Sequence, residues 1–132
     1  MHIVDLLFQP YPRFQTELWI SEHAAEALDD FVDETNEGPR FYKKLSFWAE
    51  AGFPVYERKG ERPIRREENG VYRVGAGLTL FRLYGFYDKG KRNFIAIDAV
   101  HKRKTKLSSA ERTAIRSVAR VRDDEDWEYR DE

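Results

Sequence analysis

Residues 78–107, LTLFRLYGFYDKGKRNFIAIDAVHKRKTKL, determine how the second half of the chain folds. Two runs rich in aromatic and β-branched residues, 79–87 and 92–100, flank a short turn at 88–91. This pattern predicts a pair of antiparallel strands. The second run leads directly into a basic segment, HKRKTK at 101–106. We therefore expect a hairpin that ends in a cluster of cations.

Charge is unevenly distributed around this stretch. The whole chain carries a net charge of −1. Residues 1–56 contain 4 Lys/Arg against 10 Asp/Glu, for a net charge of −6, and residues 123–132 contain 1 against 7, also −6. Residues 57–122 contain 18 against 7, for a net charge of +11. A basic centre between acidic ends is typical of a surface that binds phosphates.

Composition favours one globular domain. The chain has 132 residues, of which 41% are hydrophobic, and this suffices for one hydrophobic core. It contains no cysteine, and its three histidines are too widely spaced for a metal-ligand motif. Its apolar runs are too short to span a bilayer, and its first residues lack a secretion signal. We expect a cytoplasmic protein with no metal, no cofactor and no membrane association.

Hydrophobic periodicity predicts an α+β fold that begins with a strand and a helical hairpin. Residues 14–20 alternate between apolar and polar as a strand does. Ser21 can cap a first helix. Gly38-Pro39 can end the loop that follows this helix and start a second helix. Two helices joined so closely are expected to pack antiparallel.

Strand-like periodicity then continues from residue 63 to residue 100. Asn69-Gly70 is a strong hairpin signal within it, so we expect an antiparallel meander. A last helix to about residue 122 follows, because Ser108 and Glu111 form a capping box. The expected limits are a single domain over 1–132, an N-terminal extension at 1–12 and a frayed acidic tail at 123–132.

Arg82 lies in the middle of the third predicted strand of the meander, on the same face as Tyr84 and Phe86. One interpretation is an arginine on the solvated face of a half-exposed sheet. The other is an arginine held rigidly beside aromatic rings that can stack on the bases of single-stranded RNA. Both interpretations expect Arg82 to project from the sheet rather than into the core.

The basic segment at 101–106 lies between a strand and a capped helix, so its direction is fixed at both ends. A run of charges in a loop is usually only solvated. A rigid cluster of cations can instead stabilise the extra negative charge of a pentacovalent phosphate during RNA cleavage. Histidines titrate near neutral pH, which makes His101 the candidate proton carrier.

The last helix and the tail add two further charged features. Arg112, Arg116 and Arg120 are spaced by four residues, at which like charges repel. They need an acidic partner, either nucleic acid, another protein or the acidic first helix, and we favour the first helix. For the tail at 123–132 we hypothesise that it folds back over the basic centre and competes with RNA.

The order of these elements and several motifs resemble the RelE/ParE toxin superfamily, and especially its HigB-like, phage-derived branch of toxin–antitoxin ribonucleases. The resemblance covers about residues 14–121. Members of the branch carry a similar aromatic-arginine-aliphatic strand, a similar turn, and a lysine pair followed by threonine before the last helix. The stretches that match are LFRLY at 80–84, DKGK at 88–91 and AVHKRKTKLS at 99–108.

The resemblance implies a toxin that cuts messenger RNA at the ribosome without a metal and is silenced by a small antitoxin. In this family the 2′-hydroxyl of the RNA attacks the adjacent phosphorus. By position, Arg82 matches the arginine thought to stabilise the transition state, and Arg73 matches a lysine on the sheet. Lys102 and Arg103 match the basic pair after the last strand. Together with the residue-level reasoning, the expected catalytic residues are Arg82, His101 and Arg103, and the expected RNA-binding residues are Arg73, Tyr84, Lys102, Lys104 and Lys106.

The chain departs from the family at three places. Ser108 and Ser109 stand where some members have a tyrosine, and Gly75 stands where others have a second sheet cation. The C-terminal histidine that other branches use is absent. The superfamily also contains gyrase inhibitors that cut no RNA. Two other functions therefore stay open: a non-catalytic module that binds RNA or a protein such as gyrase, and a domain whose basic face meets an acidic protein. Homodimer formation also stays open.

Overall fold

The computed structural model describes residues 1–8, 14–57, 63–75, 80–88, 90–101 and 109–130. Within them the chain forms seven strands, three α-helices and one short 3₁₀ helix, Phe53–Tyr56. The helices are α1 (Glu22–Glu34), α2 (Gly38–Ala51) and α3 (Ser109–Asp123). The strands are β1 (His2–Leu6), β2 (Glu17–Ser21), β3 (Ile64–Arg66), β4 (Tyr72–Val74), β5 (Phe81–Asp88), β6 (Asn93–His101) and β7 (Trp127–Tyr129).

These seven strands form one mixed sheet, in the order β3-β4-β5-β6-β2-β1-β7. Strands β3 to β6 pair antiparallel in succession, which confirms the predicted meander. Strand β2 joins the sheet parallel to β6, with Glu17 opposite Asn93. Strand β1 pairs antiparallel with β2 and parallel with β7. The sheet therefore joins a local meander to three strands from distant parts of the sequence.

The predicted helical hairpin is confirmed. The Ser21 hydroxyl accepts a hydrogen bond from the amide of Ala24 at 3.2 Å and caps α1. The amide of Gly38, at the start of α2, donates to the hydroxyl of Thr35 at 3.0 Å. A Cβ atom on Gly38 would lie 2.1 Å from the carbonyl oxygen of Phe31. Only glycine therefore lets the two helices approach so closely at this corner.

Helices cover both faces of the central strands. On one face, α1 and α2 pack against β5, and Leu28, Leu45 and Phe81 belong to one buried cluster. On the other face, α3 packs against the same strand, with Ile115 and Tyr84 in a second buried cluster. The expectation of a half-exposed sheet is wrong for β5, because successive residues of this strand point into two different cores. In the described part of the chain, no helix is long and apolar enough to cross a membrane.

The margins of the chain also contribute to the sheet. Residues His2–Leu6, inside the expected extension, form β1. The sequence predicts a frayed tail, which is wrong for Trp127–Tyr129, because they form β7. The Tyr129 ring packs edge-to-face on Trp19 with centroids 4.6 Å apart, and Arg130 Nε lies 2.5 Å from Asp5 Oδ1. These contacts hold the segment at the edge of the sheet.

Candidate nucleic-acid interface

Arg82 is buried in β5, with only 6% of its surface exposed. Its Nη1 donates to the carbonyl oxygens of Gly75 at 3.1 Å and Phe81 at 3.2 Å. The expectation that Arg82 projects into solvent is wrong, because α3 covers this face of the sheet. The backbone oxygens replace the water that a surface arginine would keep, and they fix the direction of the guanidinium.

Gly75, which adjoins Arg82, has a structural role here. Its φ of +115° lies in a region that side chains disfavour. A Cβ atom at this position would lie 2.6 Å from the carbonyl oxygen of Phe81. A lysine in its place would displace the two carbonyl groups that hold Arg82.

Glu111 lies opposite Arg82 and Tyr84, on the inner face of α3, and is fully buried. Its Oε2 accepts a hydrogen bond from the Tyr84 hydroxyl. Burial lowers the pKa of Arg82, and the negative charge of Glu111 opposes that shift. A buried carboxylate needs such partners, since an unpaired charge in a core costs several kcal/mol.

Arg73 and Glu67 extend this buried network toward β4. Arg73 stands opposite Tyr84 in the register, and its Nε lies 3.5 Å from Glu67 Oε2. We call Glu67, Arg73, Arg82, Tyr84 and Glu111 the Arg82 cluster. Burial, then the charge of Arg73, lowers the pKa of Arg82, and Glu111 and Tyr84 oppose that shift. Burial and the bond to Glu111 raise the pKa of Tyr84 far above its ordinary range, so the phenol stays a donor.

His101 lies at the end of β6, on the other face of the sheet from Arg82. It pairs with Phe81 in the register, whereas Arg82 pairs with Val100. The imidazole is exposed at its edge and packs on Phe31, with ring centroids 5.0 Å apart. The structure therefore does not bring His101 into the Arg82 cluster. The two candidate catalytic groups of the described chain are separated by the backbone of the sheet.

The other expected site residues, Lys102, Arg103, Lys104 and Lys106, lie outside the described residues, as does Ser108 of the predicted capping box. The described chain stops at His101, one residue after the partner of Arg82, and resumes at Ser109. Glu111 follows two residues later. The described residues on either side of the basic segment therefore belong to the strand that pairs with Arg82 and to the helix that carries Glu111.

The prediction that the arginine row of α3 packs on α1 is wrong. Arg112, Arg116 and Arg120 are exposed, and the two helices lie on opposite faces of the sheet. The tail forms β7, which pairs with β1 at the edge of the sheet. The basic segment that the tail is expected to cover lies outside the described residues.

Sequence reasoning missed Glu111 as a member of the site. The capping-box motif assigns its carboxylate to the start of the helix, and that position lies outside the described residues. A second signal was available, because Glu111, Ile115 and Val118 recur at the spacing of one helix face. A glutamate on an apolar stripe indicates a buried acid with a dedicated partner.

Comparison with known proteins gives no match, whether with protein-family models, with curated proteins or with solved structures. Among the residues described, no group of three or more His, Cys, Asp or Glu side chains is arranged to hold a metal ion.

Proposed function

We propose that the chain is a toxin of the RelE/ParE type, with that family's arrangement of elements, and an endoribonuclease that cuts messenger RNA at the ribosome without a metal. A small antitoxin would silence it. The observation that supports this most is the Arg82 cluster, since the strand partner of Arg82, Val100, shortly precedes the basic segment in the sequence and Glu111 shortly follows it. A run of cations flanked in the sequence by a fixed charge network is suited to an RNA backbone.

The proposed reaction uses the RNA as its own nucleophile. The 2′-hydroxyl gives up its proton as its oxygen bonds to phosphorus. The bond from phosphorus to the 5′-oxygen breaks, and the leaving 5′-oxygen takes up a proton. Lys102 and Arg103 would contact the phosphoryl oxygens as negative charge builds on them. Arg82, buried and held by two carbonyls, would act as a positioning residue whose charge adds to the field at the phosphate. Lys104 and Lys106 would complete the RNA-binding set. The expectation that Tyr84 contacts RNA is wrong, because its side chain is fully buried and bonded to Glu111. Arg73, paired with Glu67, would contribute its charge from within the fold.

The test is cleavage of messenger RNA on programmed ribosomes, with cut sites mapped by primer extension and the new ends identified chemically. Attack by the 2′-hydroxyl leaves a 2′,3′-cyclic phosphate and a 5′-hydroxyl. Lys102→Gln/Arg103→Gln should slow the cut by about a hundredfold. A wild-type protein that leaves the message intact, or that produces 5′-phosphate ends, contradicts the proposal.

A second function is a non-catalytic module that binds RNA or a protein such as gyrase. The observation that favours it is the separation of His101 from Arg82, because a general acid or base must reach the reacting atoms. Two assays distinguish the functions. If wild type leaves programmed messages intact but blocks supercoiling by gyrase or retains RNA, the binding module is correct. If His101→Gln slows cleavage and flattens its dependence on pH, the enzyme is correct and His101 takes part.

A further inference from the structure

The outer face of α3 carries an exposed row of arginines that the fold itself does not neutralise. Arg112, Arg116 and Arg120 are exposed, and within the described ranges none of them forms an ion pair or a side-chain hydrogen bond. Glu111 is the sole carboxylate between residues 102 and 122, and it is buried on the opposite side of the helix. Like charges spaced by four residues destabilise a helix, so the row has a cost within the isolated fold.

We infer that this row, Arg112, Arg116 and Arg120, binds the phosphates of an RNA strand. The inference rests on the proposed function and names a partner surface for it beyond the Arg82 cluster. Four helical residues rise about 6 Å, so the three arginines extend over about 12 Å of the helix axis, in a row inclined to it by about 26°. Arginine donates two parallel hydrogen bonds to a phosphate, which suits it to a repeated backbone contact.

The chemistry of this face favours RNA over an acidic protein. Protein interfaces use buried aromatic or aliphatic anchors at their centre. The other exposed residues of α3 up to Arg120 are small: Ser109, Ala110, Thr113 and Ser117. The large exposed apolar side chains of the described chain are Met1, Phe47 and Val55, and none of them is on α3. In the sequence, the row follows the basic segment, so the cations of this part of the chain are continuous along it.

The experiment compares two variants that each remove three exposed cations from a helix. The test variant is Arg112→Gln/Arg116→Gln/Arg120→Gln on α3. The matched control is Arg40→Gln/Lys43→Gln/Lys44→Gln on α2, which lies on the opposite face of the sheet. Affinity for a fluorescent single-stranded RNA is measured by anisotropy over a range of salt concentrations, and affinity for purified ribosomes by co-sedimentation.

The expected result is a log–log salt slope about 2 units less steep in the α3 variant, since each phosphate contact on single-stranded RNA contributes about 0.7, with no such change in the control. A loss of affinity of the α3 variant for the RNA oligomer assigns the row to messenger RNA. A loss of affinity for ribosomes alone assigns the row to ribosomal RNA. Equal slopes in the α3 variant and the control, with both RNA sources, overturn the inference.

The outcome is separable from that of the proposed function. If wild type cuts no message but the α3 row still sets the salt slope, the enzyme proposal fails and the RNA surface stands. If wild type cuts and the α3 variant binds and cuts as the control does, the surface fails and the enzyme stands. Loss of binding to poly-glutamate with RNA affinity intact assigns the row to an acidic protein and overturns the inference.

Discussion

Arg82, Tyr84 and Glu111 depend on one another because all three are buried and at least one of them is charged at any working pH. The guanidinium is held by two carbonyls and influenced by Glu111, and Glu111 in turn accepts the Tyr84 hydroxyl. Removing one partner of a buried charged pair destabilises the fold more than replacing both partners by apolar residues, because the remaining charge stays unpaired in the core. This interdependence determines what each substitution should do.

Arg82→Ala should lower the free energy of unfolding by about 3 kcal/mol, because it removes the buried cation that acts on Glu111. Urea denaturation measures the change. Arg92→Ala is the control, because Arg92 is 73% exposed and its nearest carboxylate oxygen, on Glu17, is 3.9 Å away. The control should cost no more than about 1 kcal/mol. If both substitutions cost the same, Arg82 is not part of a buried network, and a loss of cleavage in Arg82→Ala would then report on catalysis alone.

Tyr84→Phe should lower the free energy of unfolding by about 2 kcal/mol, since it leaves the buried Glu111 carboxylate without the hydroxyl that donates to it. Tyr56→Phe is a matched control on the other face of the sheet, because no hydrogen bond of its hydroxyl is found in the described chain. Chemical denaturation of the three proteins provides the measurement. Equal stability of Tyr84→Phe and Tyr56→Phe would show that the Tyr84–Glu111 bond contributes nothing.

At the scale of elements, β7 shows how a short acidic segment can be ordered. It has three residues, but its backbone pairs with β1 and its side chains reach three other strands. The Tyr129 hydroxyl donates to Asp88 Oδ2 at 2.5 Å and accepts from Asn93 Nδ2 at 2.9 Å. The Trp127 ring packs on Phe86 with centroids 5.6 Å apart. These contacts make the strand a structural part of the sheet.

A variant that ends at Asp126 should therefore be less stable by about 2 kcal/mol and melt roughly 6 °C lower than wild type. Its affinity for RNA should not rise, because β7 does not cover the Arg82 cluster. A variant that lacks 131–132 alone is the control and should melt as wild type does. Circular dichroism and RNA anisotropy measure the two properties. Tighter RNA binding after removal of β7 would restore the idea that the tail competes with RNA.

At the scale of the whole molecule, buried tyrosines give the fold a dependence on alkaline pH. Burial and hydrogen bonds to Glu111 and Glu57 raise the pKa values of Tyr84 and Tyr87 above the ordinary value of about 10. Below that value both states hold the proton, so the stabilisation is complete. Above it the unfolded chain loses protons that the folded protein keeps, and stability falls by about 1.4 kcal/mol per pH unit for each tyrosine.

Urea unfolding at about pH 9 and about pH 11 should therefore show a loss of stability in wild type. The loss should be smaller in Tyr84→Phe/Tyr87→Phe, whatever the starting stability of that variant. Tyr56→Phe should lose as much as wild type. If the double variant loses as much stability as wild type between these pH values, the two phenols titrate normally in the folded protein.

The local parts of the fold could be predicted from the sequence, and the long-range parts could not. The hairpin turn at Asn69-Gly70, the Ser21 cap and the meander each rest on residues close in sequence, and all three are present. The pairing of β1 with β7 and of β2 with β6 leaves no local pattern, because its partners are more than 70 residues apart. Short strands of three to five residues give little periodicity to detect.

The candidate site also has a local part that could be predicted from the sequence and a long-range part that could not. The sequence identifies Arg82 and Tyr84 as neighbours on one face of a strand, which is correct. It does not show that α3 covers that face, since alternation alone cannot distinguish solvent from a second core. His101 illustrates the remaining limit. The pairing of β5 with β6 is irregular where Tyr84 lies opposite Asp98 and Gly85 opposite Ala96, and the side of the sheet that each residue occupies depends on this register.

The mixture of local and distant pairing in the sheet has a consequence for the order of folding. The meander β3–β6 and α3 close only short loops, whereas β2 must close a loop of more than 70 residues to reach β6. Contacts between distant residues form late in folding. The half that holds Arg82, Tyr84 and Glu111 should therefore acquire protection first, and pulse-labelled hydrogen exchange should protect the amides of β5 before those of β2. Refolding would then complete the candidate RNA interface before the far edge of the sheet has assembled.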